Sequence, residues 1–113
     1  MSKELNVITK TYDLILWIFE RVSKFPKNKQ YSIGSRIEEK ILSILESLIK
    51  ANYTRDKIDI LSNTNIGIEQ LRYLIRLCKD LRLLSFRQYE FASKEINEIG
   101  KLLGGWIKQQ KQV

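Results

Sequence analysis

Apolar residues recur every three to four positions through four long stretches of this chain, and a single proline, Pro26, interrupts them. That spacing lines one side of an α-helix, whereas a half-buried strand would alternate at every second residue. No stretch alternates in that way. The pattern predicts helices over Glu4–Lys24, Tyr31–Asn52, Arg55–Asp80 and Phe86–Gln110. Phe25-Pro26-Lys27-Asn28-Lys29 separates the first two, because proline disfavours a helical residue before it. Asn52-Tyr53-Thr54 makes the second connection, with Thr54 a candidate N-cap. Ser85 and Gln88 have capping-box spacing at the start of the fourth helix. Long amphipathic helices with short connections favour an all-α, antiparallel up-down four-helix bundle. At 113 residues the chain fits one such domain, spanning 1–113.

The first helix offers a stripe of Leu5, Ile8, Tyr12, Ile15 and Phe19. The second offers Ile33, Ile37, Ile41, Ile44, Leu45 and Leu48, and the fourth Tyr89, Ala92, Ile96, Ile99, Leu103 and Ile107. These are the expected core. Further apolar residues leave those stripes: Leu14, Trp17 and Ile18 on the first helix, Leu42 and Ile49 on the second, Phe91 and Leu102 on the fourth. A bundle helix in a monomer needs one apolar stripe. A second predicts burial against another subunit, with Leu14, Trp17, Ile18, Phe91 and Leu102 as the candidate oligomer interface. A broad core face with a few exposed side chains is the plainer alternative. Whether Trp17 and Trp106 face the core or an interface stays open at this level.

Gly100, Gly104 and Gly105 interrupt the last helix. Glycine inside a helix costs roughly 0.5–1 kcal/mol relative to alanine, so several together need a reason. The four-residue spacing of Gly100 and Gly104 predicts close approach of a neighbouring helix. A helix end at Gly104-Gly105 is the alternative, although Trp106-Ile107 continues the apolar pattern. Gly34 and Gly67 read as scattered helix glycines.

A net charge of +7 points to an acidic partner, with nucleic acid the first candidate. A basic protein without a polyanion partner is the alternative. Arg72, Arg76 and Lys79 share one face of the third helix, opposite Leu74, Leu77 and Leu81, and Lys94, Lys101 and Lys108 recur every seventh residue on the fourth. Cations so aligned can track a phosphate backbone, or an acidic protein surface. Arg72 with Arg76 is the strongest pair, since guanidinium groups grip phosphate or carboxylate bidentately. The segment from Phe25 to Gln30 adds two more positive charges.

Histidine is absent, which removes the commonest general base and most catalytic zinc sites. Glu38 and Glu39 are adjacent on a helix and point about 100° apart, so they form no carboxylate pair. Cys78, the lone cysteine, excludes an internal disulfide and reads as a buried small hydrophobe in a reducing cytoplasm. No phosphate-cradling glycine loop follows a strand, and no apolar run reaches membrane-spanning length. The chain therefore reads as a non-enzyme, with no catalytic residue, no metal, no cofactor, no small-molecule substrate and no membrane partner.

Four segments carry a resemblance: Phe25-Pro26-Lys27 leading into Tyr31-Ser32-Ile33-Gly34; Ala51-Asn52-Tyr53; Leu71-Arg72-Tyr73-Leu74-Ile75-Arg76-Leu77; and Glu98-Ile99-Gly100-Lys101-Leu102-Leu103-Gly104-Gly105-Trp106-Ile107. In their order and separation the chain resembles the accessory variability determinant (Avd) proteins of diversity-generating retroelements. The resemblance implies a four-helix bundle assembled into a basic, barrel-like homopentamer. It implies as partners a reverse transcriptase and a structured template-repeat RNA, which the accessory protein binds, without chemistry of its own, to support mutagenic cDNA synthesis. The family's basic face maps onto Arg72 and Arg76; Lys79, Lys94, Lys101 and Lys108 are added from helical geometry. Proteins encoded in intervening sequences of ribosomal RNA genes share the bundle and related glycine motifs, and are the alternative reading.

Overall fold

Helical periodicity and short connections produce four long helices, with no strand among the described residues. The computed structural model describes residues 3–112, with side chains from Asn6 onward, so the expected core contact of Leu5 lies outside the described residues. Helix α1 covers Lys3–Ser23, a short α2 covers Lys27–Lys29, and a π-helical turn covers Gln30–Gly34. It runs directly into α3 at Ser35–Asn52; α4 spans Ile58–Asp80 and α5 spans Phe86–Lys111. Each long helix packs on the next and α5 closes back on α1. The bundle measures 47 × 23 × 21 Å.

Two of the expected helix starts differ. Pro26 ends the α1 connection as expected, but its extended backbone (ψ 148°) serves as the N-cap of α2, so helix resumes at Lys27 rather than at Tyr31. Proline fits there because its missing N–H would be unbonded in a first turn. Thr54 does not cap α4: its hydroxyl donates to the Lys50 carbonyl and closes α3 instead. At Ser85 the capping box forms, with Gln88 N–H donating to Ser85 Oγ at 3.1 Å and Ser85 N–H to Gln88 Oε1 at 2.9 Å.

The cores of α3 and α5 follow the expected stripes, with Ile37, Ile41, Ile44 and Leu48 buried against Ala92, Ile96, Ile99 and Leu103. Helix α1 is turned relative to expectation. Leu14 (2% exposed) and Ile18 (1%) are core, while Tyr12 (54%) and Phe19 (38%) face outward. Leu14 and Ile18 are therefore corrected from interface to core. The cause is local: Leu14 to Phe19 are all apolar, so spacing alone permits more than one inward face. Partner packing decides it, because Val7, Thr11 and Val22 are buried on the Leu14–Ile18 line. Thr11 satisfies its buried hydroxyl on the Val7 carbonyl at 2.8 Å, and Thr64 does the same on Ile60 at 2.7 Å.

Trp106 is fully buried and Cys78 lies in the core as expected. Trp17 is half-buried and packs its ring on Phe91 across the α1–α5 seam, with centroids 5.1 Å apart. Leu102 is half-buried against the core.

The glycine expectations also change. A Cβ on Gly104 would meet nothing within 4 Å, and one on Gly100 would meet only Arg72 Nη2 at 3.9 Å. No helix approaches either residue closely, and α5 runs unbroken through both to Lys111. The close contact is at Gly34, where a Cβ would lie 2.7 Å from Val22 Cγ1 and 3.1 Å from the Lys29 carbonyl oxygen. There the π turn presses its backbone on α1, which only glycine permits.

Candidate nucleic-acid interface

The outer faces of α4 and α5 meet along a seam organised by Arg72. Its Nη2 lies 3.2 Å from Glu69 Oε1, one turn back on α4, and its Nη1 donates to Asn97 Oδ1 on α5. The guanidinium lies beside Gly100, where a Cβ would stand 3.9 Å from Nη2, an ordinary contact. Arg72 thus clips the two helices together, with part of its donor fork already used. Arg72, Lys94 and Lys101 line a shallow groove of about 510 Å³ together with Asn97, Glu69 and Glu98. Lys101 pairs loosely with Glu98 at 3.9 Å; an exposed pair of this kind contributes little and leaves the ammonium free to rearrange.

A smaller hollow of about 170 Å³ beside it is lined by Arg72, Tyr73, Arg76 and Tyr89. Arg76 is exposed and makes no ion pair among the described residues. Lys79 sits 4.7 Å from the centre of the Tyr89 ring and 3.5 Å from Asp80, so cation–π and ionic contacts both hold it. Lys108 is exposed and lies apart from both hollows. The structure therefore brings Arg72, Arg76, Lys94 and Lys101 to adjoining hollows, sets Lys79 at their edge, and leaves Lys108 outside them. Glu69 and Glu98 make this surface mixed rather than purely cationic, a feature that counting only positive charge conceals.

A further exposed apolar surface lies on α1 and α3. On α1, Trp17 and Lys10 reach α5 through Phe91 and Glu95, so the opposite flank, with Phe19 and Tyr12, turns toward α3. On α3, Lys40 reaches Gln70 of α4, so the flank with Ile49 and Leu42 turns toward α1. Tyr12, Leu16, Phe19, Leu42 and Ile49 are all exposed. Together they form an apolar face across α1 and α3, wider than scattered single residues would give. Half-buried Glu38 lies on the same flank of α3, and burial pushes its carboxyl above the ordinary carboxylate range.

A second groove, of about 540 Å³, opens between the π turn and the end of α4, lined by Lys29, Tyr31, Arg36, Glu39 and Leu81. Sequence reasoning registered the positive charge near Lys27 and Lys29 but not the groove, because Leu81 reaches it only through the tertiary fold.

Among the described residues no helix is long and apolar enough to cross a membrane. The sequence model of the bAvd-like family matches residues 6–110, a span that takes in nearly all of the four long helices. No curated protein matches the chain.

Proposed function

The chain belongs to the bAvd-like family, and from that membership we propose that it is a non-catalytic accessory protein of a diversity-generating retroelement. In this reading it binds the element's reverse transcriptase and structured template-repeat RNA, and so supports mutagenic cDNA synthesis. The family match carries the proposal. The α4–α5 seam supports it, because Arg72 and Arg76 sit on adjoining hollows with exposed lysines nearby, an arrangement suited to phosphate or to an acidic protein surface. The exposed apolar face of α1 and α3 supports assembly into a homo-oligomer, a pentamer by family resemblance, with Tyr12, Leu16, Phe19, Leu42 and Ile49 taking the place of the buried Leu14 and Ile18 beside Trp17, Phe91 and Leu102 as interface candidates.

Co-purification of the protein with the reverse transcriptase encoded beside it, at low and high salt, tests the reading. A complex carrying RNA is expected, and Arg72→Glu with Arg76→Glu should remove the RNA or the enzyme while leaving the helical content unchanged. Failure of the wild-type protein to form any such complex would overturn the accessory role.

A further inference from the structure

The groove between the π turn and the end of α4 has features that the α4–α5 seam lacks. Tyr31 stands on its rim 76% exposed, its ring unused by the core. Lys29 and Arg36 flank it, with no ion pair for either among the described residues and Glu39 the one carboxylate in the lining. The π turn packs closely on α1, because Gly34 leaves no room for a Cβ against Val22. Such turns recur at functional positions, where they re-aim side chains.

A second observation comes from the opposite wall. Leu81 is followed by Arg82, the only described non-glycine residue with positive φ, at 63°. Helix α4 ends there in a Schellman motif: Leu83 N–H donates to the Cys78 carbonyl at 2.8 Å and Arg82 N–H to Lys79 at 2.9 Å. Glycine is the usual occupant of that left-handed position, since a Cβ is penalised there. Here the chain keeps an arginine, exposed and without an ion pair among the described residues, next to the groove wall. A cation held at a position that backbone energetics assign to glycine points to use of its charge.

We propose that this groove is a binding site for a single-stranded RNA segment, separate from the α4–α5 seam, with one base stacked on Tyr31 and the flanking phosphates held by Lys29, Arg36 and Arg82. An exposed aromatic ring among unpaired cations is the combination that single-stranded nucleic acid uses, because every base has a face to stack and every nucleotide a phosphate to neutralise. An acidic peptide would use the cations and leave Tyr31 idle. The inference rests on the RNA-binding reading above only for the class of ligand.

The test is fluorescence anisotropy of the full chain with labelled single-stranded oligouridine, duplex RNA and an oligoglutamate peptide. Tyr31→Ala should weaken oligouridine binding at least about fivefold, the lower end for loss of one stacked base. Arg82→Gly should weaken it as well, while its Tm equals or exceeds that of the wild type, which separates lost contact from lost fold. Arg72→Glu with Arg76→Glu should leave the Tyr31 dependence in place. Unchanged oligouridine affinity in both Tyr31→Ala and Arg82→Gly would overturn the site and leave the accessory reading standing. Oligoglutamate binding with the same variant sensitivity would overturn it in favour of an acidic protein segment. Absence of oligouridine binding by the wild type would overturn it too, whereas the accessory reading is decided by co-purification.

Discussion

Cys78 is fully buried on the core face of α4, and burial pushes its thiol up to about 12 from an ordinary 9.0. Between those values the unfolded chain has released the proton that the folded chain keeps, so the folded state binds more protons and stability falls as pH rises. The contribution is intact below pH 9 and is lost toward pH 12, at about 1.4 kcal/mol per pH unit. Urea midpoints of wild type and Cys78→Ala, compared across this window, should show a gap that narrows with rising pH. A gap that stays constant would mean that the thiol ionises equally in both states. Arg82 gives a prediction of opposite sign. Relieving its left-handed strain with Arg82→Gly should raise stability by about 1 kcal/mol, read as a higher denaturation midpoint, and a lower one would show that the arginine side chain contributes to the fold.

At the scale of elements, the π turn is the unusual part. Gly34→Ala places a methyl 2.7 Å from Val22 Cγ1 and 3.1 Å from a backbone oxygen, so α1 or the turn must shift, at about 1–3 kcal/mol. Thermal unfolding should report that loss, and an unchanged Tm would mean the turn relaxes freely. This contact also marks where reading the sequence stops working. The inward faces of α3 and α5 were legible because their main apolar stripes run the length of each helix, with only a few apolar residues such as Leu42, Ile49 and Phe91 off them. Helix α1 was not, since Leu14 to Phe19 offer apolar residues in nearly every direction and the choice falls to neighbouring helices. The Ser85 box was legible because both partners lie within one turn, whereas Thr54 turned back to α3. At the candidate site, Arg72 and Arg76 could be placed on one face by spacing alone. The clip to Asn97 and the groove at Tyr31 could not, because each joins segments far apart in sequence.

For the whole molecule, the exposed face of α1 and α3 predicts association. Leu16→Lys with Ile49→Lys puts charge into that face at positions outside the core, so sedimentation velocity should show monomer while circular dichroism keeps the helical signal. An assembly that survives both lysines would place the interface elsewhere. Helices α1 and α5 run antiparallel, as the contacts of Lys10 with Glu95 and Trp17 with Phe91 require. The start of α1 and the end of α5 therefore share one end of the bundle, and the Tyr31 groove occupies the other. Copies arranged by rotation about an axis along the helices would all present that groove on the same rim. Such a particle has a top and a bottom, and a strand caught by one copy meets its neighbours' sites at high effective concentration. Weak individual contacts would then add into avidity, and the direction in which the strand enters would be fixed by the fold.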